Sequence, residues 1–256
     1  HHPDVLRACQ GSGSGSSRLI SGNRPAHACL EARLSTMYGR PATLFSSGYH
    51  ANLALMSTVL RTDDVVCSDA LNHASIIDGL RLSKAERKIV THGDPSQLDS
   101  RARMVVVEGL YSMDGDTLSL EKYTGTHWLA VDEAHAVGVL GPQGRGVAAA
   151  QGVEPDFLVG TLGKALGAYG AFVVGPPSLR ELLISQGRSF IFTTGLPESI
   201  VLAAIAALEL ATDERRERLA SNVSYFREGL SALGFHALGE HHIVPILGKA
   251  HVGYLP

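Results

Sequence analysis

The chain has 256 residues, of which 45% are hydrophobic and 18% are charged, and its formal net charge at pH 7 is −3. This length and composition predict a soluble protein with a substantial core, organised as one large domain or as one domain and part of another. The small negative charge, without any run of Lys or Arg, argues against nucleic-acid binding, which needs clustered cations.

Cysteine usage and apolar runs indicate where the protein works. Cys9, Cys29 and Cys67 are an odd number without the spacing of a zinc site or a disulfide framework, so we expect free thiols in a reducing compartment. The apolar stretch at 200–210 is too short to cross a bilayer, and no secretory signal opens the chain. These features predict a cytoplasmic protein without a membrane segment.

The N-terminal segment, residues 1–40, contains the glycine-rich stretch GSGSGSS (11–17). Its composition fits either a flexible linker or an ordered loop. From Arg24 the pattern alternates between the helix ACLEARLSTMY, the strand ATLF and the helix ANLALMSTVL, which the turn SSGYH opens.

Six further short runs are rich in Val, Leu and Phe and lack polar alternation, which predicts strands buried on both faces. They are residues 64–69, 88–92, 104–109, 127–133, 156–161 and 171–175. Because helical segments separate them, we predict an α/β fold with a mainly parallel sheet and helices on both faces. This large domain is assigned to residues 41–210.

After the last of these strands the sequence is mainly helical. A charged helix is predicted from about Asp213 to Leu233, followed by the strand-like run HHIVPIL (241–247). We assign residues 211–256 to this long helix and the start of a truncated C-terminal domain. The missing initiator Met and the abrupt end lead us to expect a longer parent protein.

Two connections between predicted strands are short. Only LSLEKYTGTH separates Asp116 from Trp128, and residues 93–103 are similarly brief. A crossover between parallel strands normally needs a dozen or more residues with a helix. We therefore expect that internal segments are absent from the sequence or that the gene copy is truncated, and a true deletion is expected to expose sheet surface and weaken the fold.

Polar side chains follow three predicted strands at the edge where open α/β sheets bind ligands. Lys164 lies in GTLGKALG (160–167), and Asp132 and His135 lie at another strand exit. A lysine amine can hold an aldehyde cofactor as a Schiff base, a carboxylate can keep a pyridine ring protonated, and an imidazole can bond the phenolate. The three residues predict a pyridoxal phosphate site, and an ordinary surface lysine is the alternative.

Other residues near this edge have a functional and a structural interpretation. The turn SSGYHAN (46–52) has the free N–H groups that bind a phosphate, or is only a helix cap. Thr161 lies in a second such turn, three residues before Lys164. His73 begins a helix and could lie over a flat cofactor, or be a capping or surface histidine. Glu108 and Ser112 end another strand, where a glutamate is normally a cap or turn residue.

Competing catalytic motifs are absent from the sequence. No GxGxxG follows a strand, and GTLGKA lacks the earlier glycine and the Ser or Thr of a phosphate-binding P-loop. There is no HExxH or GxSxG motif either. The dinucleotide, nucleoside triphosphate, zinc protease and serine hydrolase interpretations therefore lose support.

Six segments together closely resemble the α-oxoamine synthases, which are pyridoxal phosphate enzymes of fold type I, and the resemblance covers nearly the whole chain. They are FSSGYHANLAL, NHASIIDG, EGLYSMDGD, VDEAHAVGVLGPQGRG, GTLGKALGAYGAFVVG and SFIFTTGLP. The resemblance implies an aspartate aminotransferase-like large domain, with a small C-terminal domain that is mostly missing here. It also favours an ordered loop at residues 11–17.

The resemblance implies a role for each matching position. Lys164 becomes the Schiff-base lysine, Asp132 the partner of the pyridine nitrogen, and His135 the partner of the ring hydroxyl. His73 would stack on the ring and border the substrate, so the implied catalytic residues are Lys164, His73 and Asp132. The remaining implied cofactor contacts are the backbone of Gly48 and Tyr49, together with Thr161 and Ser112. No metal is implied.

The resemblance also implies substrates and partners. The lysine segment and SFIFTTGLP are most similar to a member that joins L-alanine to an acyl-CoA or an acyl-carrier protein. Homodimers with active sites between subunits are implied, so Thr193 or Thr194 would reach the partner's phosphate. The family's substrate-binding arginine lies outside this chain. Other members of the family, or a non-catalytic remnant that serves as a structural module, are the alternatives.

Overall fold

Seven strands form a single sheet in this computed structural model, which describes residues 3–4 and 13–246. The strands are β1 (Ala42–Phe45), β2 (Val65–Asp69), β3 (Glu86–Val90), β4 (Ala102–Glu108), β5 (Trp128–Asp132), β6 (Phe157–Thr161) and β7 (Ala171–Val174). Their order is β1-β7-β6-β5-β4-β2-β3. Strands β2 to β6 are mutually parallel, and β7 runs antiparallel to both β1 and β6. The predicted α/β class with a mainly parallel sheet is confirmed.

Helices cover both faces of this sheet. They are α1 (Pro25–Tyr38), α2 (Gly48–Val59), α3 (Ala74–Ser83), α4 (Val147–Ala150), α5 (Pro177–Gln186), α6 (Arg188–Ile191), α7 (Glu198–Leu210) and α8 (Asp213–Ala232). Short helical turns occur at Arg18–Gly22, Pro95–Gln97, Leu120–Tyr123 and Pro142–Gly144. None of the helices among the described residues is both long and apolar enough to cross a membrane.

Alternating side chains of the central strands enter two different cores. In β4, Met104 and Val106 pack with α2, α3, α5 and α6 on one face, whereas Val105 and Val107 face the other side. That opposite side is covered by α1 and α7 near β1, β6 and β7. Because both faces are buried, β4 and β5 can be continuous Val-rich runs without polar alternation.

The connection from β4 to β5 covers the rest of that second face without an α-helix. Leu118, Leu120 and Tyr123 are buried against the sheet in this connection. Gln151 holds it in place, since its side-chain amide accepts from the Leu120 N–H at 2.8 Å and donates to the Leu118 carbonyl at 2.7 Å. Sheet surface is therefore not exposed at this connection, because three large side chains cover it.

The strand-like run HHIVPIL (241–247) does not form a strand over its described part. Only an isolated bridge joins Ala237 to Ile246, and Leu247 lies outside the described residues. Proline has no N–H to donate at Pro245, and Arg227 bonds the carbonyl oxygens of this region at 3.0 to 3.2 Å. The apolar side chains of this run pack against α8 and the turn after β4, not within a sheet.

The glycine-rich stretch is an ordered loop over its described residues 13–17. Ser14 is buried and its hydroxyl donates to the Leu196 carbonyl, while the Ser16 carbonyl accepts from the Gly195 N–H at 3.0 Å. Residues 11 and 12 lie outside the described part, as does Cys9. The other two cysteines, Cys29 and Cys67, are free thiols.

Truncating Leu120 tests whether the short connection belongs to the core. We expect Leu120→Ala to lower the free energy of unfolding by about 2 to 4 kcal/mol, because a fully buried side chain is replaced by a cavity. Urea unfolding monitored by circular dichroism measures the change. Leu82→Ala is the matched control, since Leu82 is exposed and its truncation should cost little. Equal losses in both variants would contradict the assignment.

Candidate active site

Three parallel strands end in polar residues at one edge of the sheet. Glu108 closes β4, Asp132 closes β5 and Thr161 closes β6. Glu108 and Asp132 are register partners, so their side chains lie next to each other. All three are buried, at 5%, 7% and 9% exposure. The sequence-predicted convergence at the carboxyl edge is therefore present.

Lys164 lies in the turn that follows β6 and contacts His135. Its Nζ is 2.6 Å from Nε2 of the imidazole. Backbone bonds shape the turn, with Leu162 donating to the Gly170 carbonyl at 2.9 Å and Ala168 donating to the Leu162 carbonyl at 2.9 Å. The structure thus brings together the lysine and the histidine that 29 residues separate in the chain.

The electrostatics of this pair favour uncharged forms. Burial lowers the pKa of His135 to about 4, with a smaller contribution from the Lys164 charge. His135 is therefore neutral at pH 7, and its unprotonated Nε2 can accept a hydrogen bond from the Lys164 amine. Partial burial also lowers the pKa of Lys164, against the opposing effect of the Asp132 and Glu108 carboxylates. A lowered pKa makes the amine a better nucleophile and base near neutral pH.

Asp132 is held by groups that the sequence interpretation did not identify. Its Oδ2 accepts from the Asn52 amide at 2.7 Å, and its Oδ1 accepts from the Ala134 N–H at 2.9 Å. Asn52 also donates to the Ser75 hydroxyl at 2.9 Å. The sequence signal for this contact is Asn52 itself, an amide side chain among the apolar residues of α2, one turn after SSG (46–48). Only the packing of α2 against the strand ends shows its target.

His73 caps α3 at the same edge of the sheet. Its Nδ1 accepts from the Ser75 N–H at 3.2 Å at the start of α3, and its ring remains exposed at the sheet edge. Its own N–H donates to Glu108 Oε1 at 2.6 Å. Burial and the neighbouring Asp132 charge raise the pKa of Glu108 to about 8. The glutamate therefore positions His73, a role that its strand-end location alone did not indicate.

The turn before α2 presents unused donors. Ser47 caps the helix, accepting from the His50 N–H at 3.2 Å. Among the described residues, no group accepts from the N–H of Gly48 or Tyr49. A Cβ at Gly48 would meet no atom within 4 Å, so the space beside this glycine is open. The phenol of Tyr49 bonds to the Asp78 carboxylate and is directed along α3.

The other residues predicted to contact the cofactor are bonded within the protein or exposed. The Thr161 hydroxyl donates to the Gly170 carbonyl at 3.1 Å and accepts from the Gly163 N–H at 3.2 Å. Ser112 lies in an exposed turn after β4. Thr194 forms an isolated bridge with Ser17. Their assignments to the cofactor, or to a partner's phosphate for Thr193 and Thr194, stay predictions.

The residues fit a pyridoxal phosphate ligand. A carboxylate offers about four acceptor positions, and Asp132 uses two of them within the protein, which leaves capacity for a pyridine N–H. The free N–H groups at the start of α2 suit an anionic phosphate. Lys164 and His135 line a cavity of about 660 Å³ that also contains His242 and apolar side chains of α7 and α8. This cavity has room for a substrate beside the amine.

Comparison with known proteins decides the family. The sequence profile described as Aminotransferase class I and II matches residues 1–252. The chain belongs to the aminotransferase class I and II family. Members of this family with fold type I are pyridoxal phosphate enzymes, as the predicted site requires.

Individual relatives show which members of the aminotransferase class I and II family this chain is similar to. An 8-amino-7-oxononanoate synthase from Anaeromyxobacter sp. (strain K) is 47% identical over 242 residues, covering 88% of this chain and 61% of the relative. Serine palmitoyltransferase from S. paucimobilis, solved with PLP and myriocin bound, superposes with a TM-score of 0.90 at 35% identity, over 97% of this chain and 71% of that one. The 8-amino-7-oxononanoate synthase of Francisella tularensis gives 0.79 at 32% identity, over 92% and 73%.

This chain is also shorter than the Anaeromyxobacter relative. The chain spans 61% of the length of the Anaeromyxobacter relative. The alignment has 242 positions, yet 88% of a 256-residue chain is fewer residues than that. The relative therefore has residues within the matched region that this chain lacks. This agrees with the expectation of absent internal segments.

Replacing Glu108 tests the environment of the site. The pKa of Glu108 is about 8 in the folded protein, and its ordinary value is 4.5. Between pH 4.5 and about 8, the carboxyl group therefore keeps its proton in the folded state but loses it in the unfolded chain. The free energy of unfolding should fall as pH rises through this window. Glu108→Gln cannot titrate, so we expect its fall to be smaller by at least about 1 kcal/mol.

Urea unfolding across this pH window measures the Glu108 effect. Glu121→Gln is the control, because Glu121 is an exposed glutamate and its replacement should leave the wild-type pH dependence unchanged. If Glu108→Gln and wild type lose stability in parallel, the carboxyl group is not protonated in the folded protein.

Proposed function

We propose that the chain is the large part of a pyridoxal phosphate-dependent α-oxoamine synthase that joins L-alanine to pimeloyl-CoA or pimeloyl-carrier protein. The products are 8-amino-7-oxononanoate, CO2 and CoA or the free carrier protein. The observation that carries the cofactor assignment is the Lys164 amine at 2.6 Å from a neutral imidazole, beside the buried Asp132 carboxylate. The 47% identity to an 8-amino-7-oxononanoate synthase supports the choice of substrates.

Each residue contributes a defined part of the chemistry. When bound, pyridoxal phosphate supplies an aldehyde that condenses with amines and a protonated pyridine ring that accepts electrons. Asp132 would hold the pyridine N–H, and a hydrogen bond to a charged acceptor of this kind contributes about 1.5 to 3 kcal/mol. His73 would cover the ring, and the N–H groups at the start of α2 would hold the phosphate. Asn52 fixes Asp132 in the orientation that this requires.

Lys164 moves the protons in this proposal. With the amino acid bound to the cofactor, the free Lys164 amine would take the proton from the α-carbon of L-alanine. A bond from that α-carbon to the acyl carbonyl would replace the carbon–sulfur bond, and the thiolate would leave and take a proton from water. After the alanine carboxylate has left as CO2, Lys164 would return its proton to the same carbon. The lowered pKa of this amine suits both directions of transfer.

The proposal includes the assembly and location of the protein. We place it in the cytoplasm as a homodimer, with each active site at the subunit interface and Thr193 or Thr194 near the partner's phosphate. Substrate-carboxylate contacts are assigned to parts of the protein outside this chain. Lys164, Asp132 and His135 are proposed as the core of the site.

A second candidate is serine palmitoyltransferase, because a structure of that enzyme superposes with a TM-score of 0.90. Its 35% identity is lower than the 47% of the Anaeromyxobacter synthase, which is why we place it second. Glycine C-acetyltransferase and 5-aminolevulinate synthase belong to the same group of alternatives. An inactive structural remnant is the alternative from another class, motivated by the missing portions.

Borohydride trapping tests the cofactor assignment. Incubation with pyridoxal 5′-phosphate should give a yellow protein, and reduction should fix one cofactor on the peptide that contains Lys164. Peptide mass spectrometry locates the label. Lys164→Arg keeps the positive charge but should take no label, whereas Lys122→Arg, at an exposed lysine, should label like wild type. A colourless protein, or label spread over surface lysines, would favour the remnant.

Substrate selection is tested separately with holoenzyme that has not been treated with borohydride. We expect pimeloyl-CoA and L-alanine to release CoA, with glycine and L-serine giving far slower turnover. Thiol release, measured by a colorimetric reagent, reports the reaction. Lys164→Arg supplies the blank rate. Preferential turnover of L-serine with a long-chain acyl-CoA would assign the protein to the second candidate instead.

A further inference from the structure

His92 lies between two carboxylates outside the residues already assigned. Its Nδ1 is 2.9 Å from Oδ1 of Asp69, and its Nε2 is 2.8 Å from Oδ2 of Asp116. The imidazole packs edge-on against the buried ring of Tyr111, with 4.5 Å between the ring centres. The three residues come from the end of β2, the chain after β3 and the chain after β4.

This arrangement requires the protonated form of His92. An ionised carboxylate only accepts hydrogen bonds, so each ring nitrogen must carry a hydrogen to bond its partner. A neutral imidazole has one N–H and can donate to only one of the two aspartates. Burial opposes the charge, but the bonds and charges of Asp116 and Asp69 outweigh it and raise the pKa of His92. The bridge is therefore strongest when the ring is an imidazolium.

The bridge joins two loops that carry proposed cofactor contacts. The Asp69 carboxylate also accepts from the Leu71 N–H at 2.8 Å, in the loop that leads to His73. The Asp116 backbone carbonyl accepts from the Tyr111 N–H at 3.0 Å, which closes the turn that contains Ser112. His92 thus connects the loop after β2 with the turn after β4.

These loops need a side-chain connection because the neighbouring segments have little regular structure. Residues 91–101 contain only the short turn Pro95–Gln97, and residues 109–127 contain only Leu120–Tyr123. Backbone bonds in these segments mostly close local turns, such as those from the Asp94 N–H to the Thr91 carbonyl and from the Gly115 N–H to the Tyr111 carbonyl. Besides the bond from the His73 N–H to Glu108, the Asp69, His92 and Asp116 contacts connect the loop after β2 with the turn after β4.

We propose that His92 is a positioning residue whose imidazolium form holds the His73 loop and the Ser112 turn in place at the cofactor site, and that both loosen when the ring loses its proton. The loosening concerns the protein alone, whereas its effect on cofactor binding rests on the proposed function. His92 itself touches neither the Lys164 amine nor the other residues of the site.

The direction of the pH effect follows from the groups around the ring. Asp69, Asp116 and the ring of Tyr111 face His92, and Tyr123 feels the charges of both Asp69 and Asp94. Since the folded-state pKa of His92 is raised, its contribution is complete below the unfolded value of 6.5. That contribution is lost as pH rises through the folded-state pKa.

Nuclear magnetic resonance and hydrogen exchange test the inference without any cofactor. We expect the His92 ring signal, assigned by its loss in His92→Gln, to titrate above 6.5. Amide protection factors for residues 70–73 and 111–116 should fall about tenfold as pH rises through the folded-state pKa of His92, equivalent to about 1.4 kcal/mol. In His92→Gln they should be low at every pH. His127→Gln is the matched control, because half-buried His127 bonds only the Tyr123 carbonyl.

A second variant covers the case in which His92→Gln fails to fold. Asp116→Asn keeps the imidazole and its Asp69 partner, so it should lower the His92 pKa and loosen the Ser112 turn more than the His73 loop. Titration of His92 at or below 6.5, or protection unchanged by pH in both loops, would overturn the proposal.

Cofactor binding then distinguishes this inference from the proposed function. The dissociation constant of pyridoxal 5′-phosphate should be about tenfold higher in His92→Gln than in His127→Gln at pH 6, and the two should converge at high pH. If pyridoxal phosphate bound neither the variants nor the wild type, the proposed function would be wrong. The hydrogen-exchange data would still decide the role of His92.

Discussion

The buried carboxylate of Asp132 is the constraint on which the rest of the structure depends. A charge removed from water costs several kcal/mol unless hydrogen bonds and an opposite charge compensate it. Asn52 and the Ala134 N–H supply two bonds, and the carboxylate in turn favours the charged form of the nearby Lys164 amine, against the effect of burial. The start of α2, the exit of β5 and the turn after β6 must therefore meet at one point. That requirement fixes where a cofactor can bind.

The same desolvation sets the chemical character of the neighbouring groups. Glu108 lies beside Asp132 in register, and two adjacent carboxylates in a buried site cannot both ionise cheaply. The consequence is a raised pKa for Glu108, whereas burial has the opposite effect on His135 and Lys164. Burial therefore favours the neutral forms of Glu108, His135 and Lys164 around Asp132.

Local patterns were sufficient for the strands, the helices and the main polar residues. Runs such as MVVVEG (104–109) signal a strand buried on both faces, and strand-end positions placed Lys164, Asp132 and His135 at a common edge. Contacts between distant segments could not be predicted in this way. Asn52 bonds a residue 80 positions away, and His92 bridges residues on two other segments. Nothing in the immediate sequence of either one identifies its partner.

The short connection after β4 and the run HHIVPIL (241–247) show a different limit. Periodicity indicates that a segment is apolar, but it does not decide whether a loop or a helix buries the sheet. Leu118, Leu120 and Tyr123 cover the sheet from an irregular chain, whereas the apolar run near the end packs without forming a strand. Both outcomes depend on which neighbouring surfaces are available in three dimensions.

Strand β3 ends the sheet on one side, and Ile89 is 61% exposed there. Such a rim offers unpaired backbone groups to any other chain and is a common starting point for aggregation. Here the rim also carries Glu86, Arg87 and Lys88. A second strand approaching this side would have to strip water from those charges, which disfavours edge-to-edge pairing.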